Sequence, residues 1–167
     1  GDCVMLTTPE MIRTLQRKLY TKAKQEPAYR FYALCDKAWR SDILMFAYLL
    51  VRANKGSSGV DGINFEDIEQ KTGIDTFLSE LAQDLKHKTY HPSPVRRVMI
   101  HKTDGSLRPL GIPTIRDRVA QMAVKLIIEP IFEADFCPTS YGFRPKKSAH
   151  DAVDEIAHAL HQGYTRV

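Results

Sequence analysis

Long hydrophobic runs are scarce in this chain. The apolar stretch from Ile43 to Val51 is nine residues long and ends at Arg52. A membrane helix needs about 20 such residues, so a buried helix is expected instead. The N-terminus lacks the basic start and apolar middle of a secretory leader. Cysteine is rare: Cys3, Cys35 and Cys137 are odd in number and lack the spacing of metal ligands. That argues against a disulfide framework and points to reduced thiols in a cytoplasmic protein. Internal repeats and low-complexity segments are absent, which excludes a solenoid or a disordered tail.

The chain has 167 residues, 43% of them apolar and 26% charged. That balance is globular, and the length suffices for one domain with a modest core. Formal net charge is +4. It is unevenly spread. Between Lys86 and Arg118, eight Lys and Arg stand against Asp104 and Asp117, a net of +6 that leaves −2 for the remainder. A basic face for nucleic acid and an ordinary solvated surface both fit this asymmetry.

Thr8-Pro9-Glu10 predicts a helix start, with Thr8 as cap and Pro9 in the first position, running to about Gln25. A second helical stretch is expected over Ala28 to Lys37. A third opens at Ser41-Asp42 and ends near Asn54. Lys55-Gly-Ser-Ser-Gly-Val-Asp-Gly62 is a loop, with three glycines in eight residues. Asp67 to Lys71 predicts a short helix, and Asp75 is expected to cap another. Val95 to His101 and Leu107 to Ile112 predict a hairpin turning at Asp104-Gly105. Thr114 caps a helix with apolar Val119, Ala123, Leu126 and Ile127, which Pro130 should end or kink. Ser148 opens a last helix with Val153, Ile156 and Leu160 inward. A strand is expected to begin near Thr165.

Chemistry gathers on the hairpin. Arg96, Arg97, Lys102 and Arg108 offer point charges and bidentate forks of the kind phosphates need. A charged ribbon edge that resists aggregation explains the same residues. Arg116 and Arg118 open a capped helix, where a phosphate is favoured unless Asp117 and solvent balance them. His150, Asp154, His158 and His161 share one polar helix face with metal-stripe spacing, but a solvated face accounts for them with no further assumption. Tyr141 and Phe143 suit base stacking and core packing equally.

Val95 to Gln121, centred on Arg108-Pro-Leu-Gly-Ile-Pro-Thr-Ile-Arg-Asp-Arg118, resembles the first shared block of group II intron-encoded reverse transcriptases. Tyr141-Gly-Phe-Arg-Pro-Lys-Lys-Ser-Ala-His150 resembles the second block. Lys55 to Gly62 resembles the N-terminal block that these enzymes share with non-LTR reverse transcriptases. The resemblance implies an α+β fold: a helix-rich fingers subdomain with an antiparallel β-hairpin, then the truncated start of a palm. The expected divisions are an N-terminal helical extension over 1–54, fingers over 55–133 and palm over 134–167. It further implies that Lys102 and Arg108 bind the triphosphate of the incoming dNTP. Lys55, Gly56, Ser57, Ser58 and Gly59 would form a lid over the template. The second block would line template and nascent base pair, which points to Arg144. Read from their own chemistry, Tyr141 and Phe143 as stacking rings and Arg96, Arg97, Arg116 and Arg118 as cations complete the expected nucleic-acid face.

The implied function is RNA-directed DNA polymerase activity together with a maturase role on intron RNA. The alternatives are a non-catalytic maturase-like RNA-binding module and a CRISPR-associated or retron-type reverse transcriptase. Expected partners are intron or template RNA, an RNA–DNA duplex and dNTP, with no membrane. The family's metal-binding aspartates would follow Val167. The Mg²⁺ ions of the full-length enzyme then have no ligand here, and these residues alone carry no catalytic group and no activity. An unpaired palm edge near Thr165 is expected to favour self-association.

The register matters. A strict two-residue turn at Asp104-Gly105 pairs Lys102 with Leu107 and sends Arg108 to the opposite face. One triphosphate can meet both cations only if the tip is odd in length, bulged or strongly twisted.

Overall fold

The computed structural model describes residues 6–164. Seven helices and one hairpin are found among them. They are α1 (Glu10–Gln25), α2 (Cys35–Ala38), α3 (Ser41–Ala53), α4 (Phe65–Asp67), α5 (Ile74–His87), β1 (Arg96–His101), β2 (Leu107–Ile112), α6 (Ile115–Asp135) and α7 (Ala149–His161). A π-helical turn, Ile68–Thr72, follows α4 directly. This is the expected helix-rich α+β architecture, with a two-stranded antiparallel sheet.

The core is built around α6. Val119, Ala123, Leu126, Ile127 and Ala134 recur at helical spacing and are buried. They meet Ile12 and Leu19 of α1 on one side and Ile43, Ala47 and Val51 of α3 on the other. Tyr48 of α3 is 1% exposed and packs edge-on against Phe65 and Phe77. A single buried cluster therefore runs from Ile12 to Ile127, across the boundary at residue 54.

Pro130 neither ends nor breaks α6, which runs on to Asp135. A proline removes the donor to the carbonyl four residues back, in this case that of Leu126. The Gln16 side chain of α1 donates to this carbonyl instead, at 2.9 Å. Such a group left buried and unpaired costs about 1–3 kcal/mol, so α1 removes much of the proline's penalty. Lys24 treats the end of α6 similarly, donating to the Ala134 carbonyl at 3.0 Å.

Several local expectations shift. The expected helix over Ala28 to Lys37 shrinks to Cys35–Ala38. Tyr29 and Phe31 pack edge-to-face at 5.0 Å, a contact between i and i+2 that a helix does not allow. Thr8 does not cap α1: Pro9 holds the position before it, without a side-chain cap. Asp75 lies inside the first turn of α5, after Gly73 at φ +83°. There it still complements the helix dipole. The helix expected at Asp67 to Lys71 is instead α4 and the π turn, opened by an Asn64–Asp67 capping box.

The last helix departs furthest. Ser148 opens it as the sequence suggested, through a capping box with Asp151. Its apolar stripe, however, is uncovered: Val153, Ile156 and Leu160 are 62%, 60% and 54% exposed. They do not pack inward, because no described element covers that face. The strand expected near Thr165 lies outside the described residues, as does Cys3. No helix of the described residues is long and apolar enough to cross a membrane.

Candidate nucleic-acid interface

The hairpin pairs Arg96 with Ile112 and His101 with Leu107. Its last rung is the Lys102 amide donating to the Ser106 carbonyl at 2.8 Å. The tip is therefore three residues, Thr103 to Gly105. Gly105 sits at φ +82° and its amide donates to the Lys102 carbonyl. A turn closed by a left-handed glycine is the usual three-residue solution. The odd tip decides the register. Partners now share parity, so Arg96, Val98, Ile100 and Lys102 lie on the same face as Arg108 and Leu110. Lys102 and Arg108 are diagonal neighbours, about 7–8 Å apart in such a pair and within reach of long side chains. Arg97 lies on the opposite face.

The cations divide into two groups. Lys102, Arg108 and Arg97 are exposed, and their side chains have no hydrogen bond or ion pair among the described residues. Arg96, Arg116, Arg118 and Arg144 are engaged within the chain. Arg96 Nε donates to the Ser58 carbonyl at 3.0 Å. Arg116 bonds Asp84 at 2.5 Å and lies over the Tyr90 ring. Thr89 and then Arg116 hold the Asp84 carboxyl below its ordinary range. Arg118 donates to the Ser57 carbonyl at 2.8 Å and to that of Lys55 at 3.4 Å. The expected phosphate site of Arg116 and Arg118 is thus filled by a carboxylate and two loop carbonyls.

The loop from Lys55 to Gly59 is close-fitting. Lys55 adopts φ +55° and Gly56 φ +113°. Gly59 is buried, and a Cβ there would stand 2.6 Å from the backbone of Thr114. No other residue type fits that approach. The Lys55 side chain has no partner among the described residues and lines a cleft of about 260 Å³ with Asn54, Arg118, Gln121 and Lys125.

In the Tyr141 to Arg144 segment, only the phenylalanine is free. Phe143 is fully exposed at φ +55°, an unusual conformation for a bulky side chain. Tyr141 donates its hydroxyl to Glu155, and Lys147 lies over its ring at 4.6 Å. Arg144 is an internal clamp with an 8% exposed side chain. It pairs with Glu133 at 2.6 Å and donates to the Cys137 and Ser140 carbonyls at 2.7 Å each.

Arg144 holds the Glu133 carboxyl below the usual carboxylate range. A depressed folded-state pKa stabilises the fold above the unfolded value of about 4.3, and this is lost as pH falls through the folded value. Acidification below about pH 4 is therefore expected to release the 136–148 segment. Hydrogen exchange across that segment measures it, and Glu133→Gln at neutral pH should reproduce the release. Equal protection in the variant would contradict the clamp.

Sequence reasoning missed Asp117, which is 3% exposed. Its carboxylate accepts from Tyr90 Oη at 2.5 Å, the Ser93 amide at 3.1 Å and Thr114 Oγ1 at 2.7 Å. Burial and then the Asp117 bond push the Tyr90 phenol well above the tyrosine range, so it stays a donor. Thr114 returns the bond by capping the Asp117 amide at 3.1 Å. The Thr-x-x-Asp spacing signalled the cap. It could not signal partners 24 and 27 residues upstream. Asp117 ties the segment entering β1 to Thr114, two residues after β2, and so fixes the base of the hairpin.

Among the described residues, no group of three or more His, Cys, Asp or Glu is placed to hold a metal ion. On α7, His158 bonds Gln162 and His161 bonds the Ala157 carbonyl.

No family model matches the chain. Protein YkfC of Escherichia coli K12 is 40% identical over 148 residues, 87% of this chain and 38% of that protein. Group II intron-encoded protein LtrA of Lactococcus lactis subsp. cremoris is 41% identical over 125 residues, 70% of this chain and 19% of that protein. A putative COX1/OXI3 intron 2 protein of Saccharomyces cerevisiae is 34% identical over 117 residues, 68% of this chain and 13% of that protein. The chain spans well under half the length of these relatives. Identity at this level over more than two-thirds of the chain places it: it belongs to the family of group II intron-encoded proteins and intron maturases.

Proposed function

We propose that these residues are the template- and nucleotide-handling part of an RNA-directed DNA polymerase that also binds intron RNA as a maturase. The observation that carries this reading is the division of the cations. Lys102 and Arg108 share one hairpin face and are unengaged, as a triphosphate site requires. A point charge beside a planar fork suits a chain of phosphate oxygens. Arg97, across the ribbon, is free for the phosphate backbone of RNA or an RNA–DNA duplex. Phe143, held outward, supplies a stacking surface for a base. Arg96 and Arg118 serve by holding the loop against the hairpin, whereas Arg116 ties α6 to Asp84 and Arg144 clamps the 136–148 segment. Nucleotidyl transfer by this class uses two Mg²⁺ ions. The described residues hold no carboxylate set that fits them, so no catalytic step is assigned to these side chains.

The test is RNA binding by the full-length protein across a salt series, beside Arg97→Ala and the Lys102→Ala/Arg108→Ala pair. Each phosphate neutralised contributes about 0.7–0.9 to the salt slope. Arg97→Ala should weaken binding and flatten the slope, whereas the double variant should bind RNA nearly as the parent does. Loss of RNA binding in the double variant with unchanged nucleotide use would favour a purely RNA-binding, maturase-like hairpin.

A further inference from the structure

Three contacts fasten the glycine loop to the two ends of the hairpin. Arg96 stands at the start of β1 and holds the Ser58 carbonyl. Gly59 lies against Thr114, two residues after β2 ends, closer than any side chain allows. Arg118, one turn into α6, holds the Ser57 and Lys55 carbonyls. Arg96 also shares its ribbon face with Lys102 and Arg108.

Arg118 is not what the fold alone would select. It forms no ion pair among the described residues, and its Nε is buried without an acceptor. Its guanidinium lies 5.9 Å from the Phe65 ring. A methionine would fill that space without the desolvation cost of the charge. What an arginine adds is a fork that reaches two backbone carbonyls at once.

We propose that Arg96 and Arg118 are positioning residues that weld the glycine loop and the hairpin into one body, so that template RNA under the loop and nucleotide on the hairpin strengthen each other's binding. The inference rests on the assignment of the loop to template and of Lys102 and Arg108 to nucleotide. Such coupling is reciprocal: whatever factor nucleotide adds to template affinity, template adds to nucleotide affinity. A loop free to move on its own would bind template with no consequence at the hairpin.

The experiment uses the full-length protein with Arg118→Met, Arg118→Lys and Arg96→Met. Hydrogen exchange of the 56–62 amides reads the weld itself. It should speed up roughly tenfold or more in both methionine variants, with global melting nearly unchanged. RNA affinity measured with and without dNTP reads the coupling. Coupling factors of roughly 5- to 150-fold are usual, and the methionine variants should fall towards no coupling. Arg118→Lys keeps one donor and should restore part of both effects. Unchanged loop exchange in the methionine variants would overturn the weld. Faster exchange with undiminished coupling would overturn its functional role. If Lys102→Ala and Arg108→Ala leave nucleotide use untouched, the nucleotide assignment fails separately, while the exchange result still judges the weld.

Discussion

Full-length protein carrying Lys102→Ala and Arg108→Ala is expected to require far more dNTP for primer extension on RNA. Both side chains are exposed and lack partners among the described residues, so their removal leaves no internal contact broken. The whole effect should fall on the ligand. A charge-assisted hydrogen bond is worth about 1.5–3 kcal/mol, roughly 10- to 100-fold in affinity for each residue. Nucleotide KM should rise by that factor in each single variant and further in the pair. Arg108→Lys should recover only part, because a lysine offers no fork. Thermal stability should stay within about 0.5 kcal/mol of the parent, as for other surface changes. An unchanged KM in both single variants would sink the triphosphate assignment.

Asp117→Ala is expected to be the most damaging single change to the fold. The substitution strips acceptors from a half-buried phenol, a backbone amide and a buried threonine hydroxyl at one stroke. Unpaired buried groups cost about 1–3 kcal/mol each, so a loss of about 3 kcal/mol or more is expected. In a domain of this size that is a fall in Tm of roughly 6–12 °C. Asp117→Asn keeps the shape and one acceptor oxygen and should lose less. Thr114→Ala removes only the cap and one donor, which costs about 1 kcal/mol. Because Asp117 anchors both strands of the hairpin at their base, its loss should also raise nucleotide KM. Thermal unfolding and a nucleotide titration measure the two effects. A Tm within a degree or two of the parent would show that water replaces the network.

The two variants separate what local pattern makes legible from what it does not. Alternation in Val95 to Ile112, the glycines of the loop and the 3.6-residue stripe of α6 each depend on neighbours in sequence. Strands, loop and helix accordingly stand where those patterns put them. Setting Lys102 and Arg108 on one face left an odd, a bulged and a strongly twisted tip all open, and the folded chain takes the odd one. The Ala28 to Lys37 segment was misread because Phe31 packs against the core and Tyr29 edge-on against Phe31, which periodicity does not record. The inward stripe of α7 was misread for the converse reason. A strong apolar pattern shows that a face wants covering, not which element covers it.

Among the candidate residues the pattern recurs. Sequence marks Arg96, Arg97, Lys102, Arg108, Arg116, Arg118 and Arg144 alike, since charge is a property of the side chain. Which of them remain available depends on acceptors far away in the chain. Ser58 lies 38 residues from Arg96, and Ser57 lies 61 from Arg118. Glu133 is 11 from Arg144.

The sequence by itself determined the family, the hairpin, the basic stretch and the glycine loop, because each is carried by residue types at short, fixed spacings. Only the tertiary structure decided that, among the described residues, three of those cations lack partners and four are internal fasteners. It alone showed that Gln16 relieves Pro130 and that Asp117 roots the hairpin. Those outcomes depend on which buried donors and acceptors meet once α1, α3 and α6 have packed. A carbonyl freed by proline or a carboxylate driven inside takes whatever partner the packed core brings within about 3 Å, and the linear order of residues does not specify that partner.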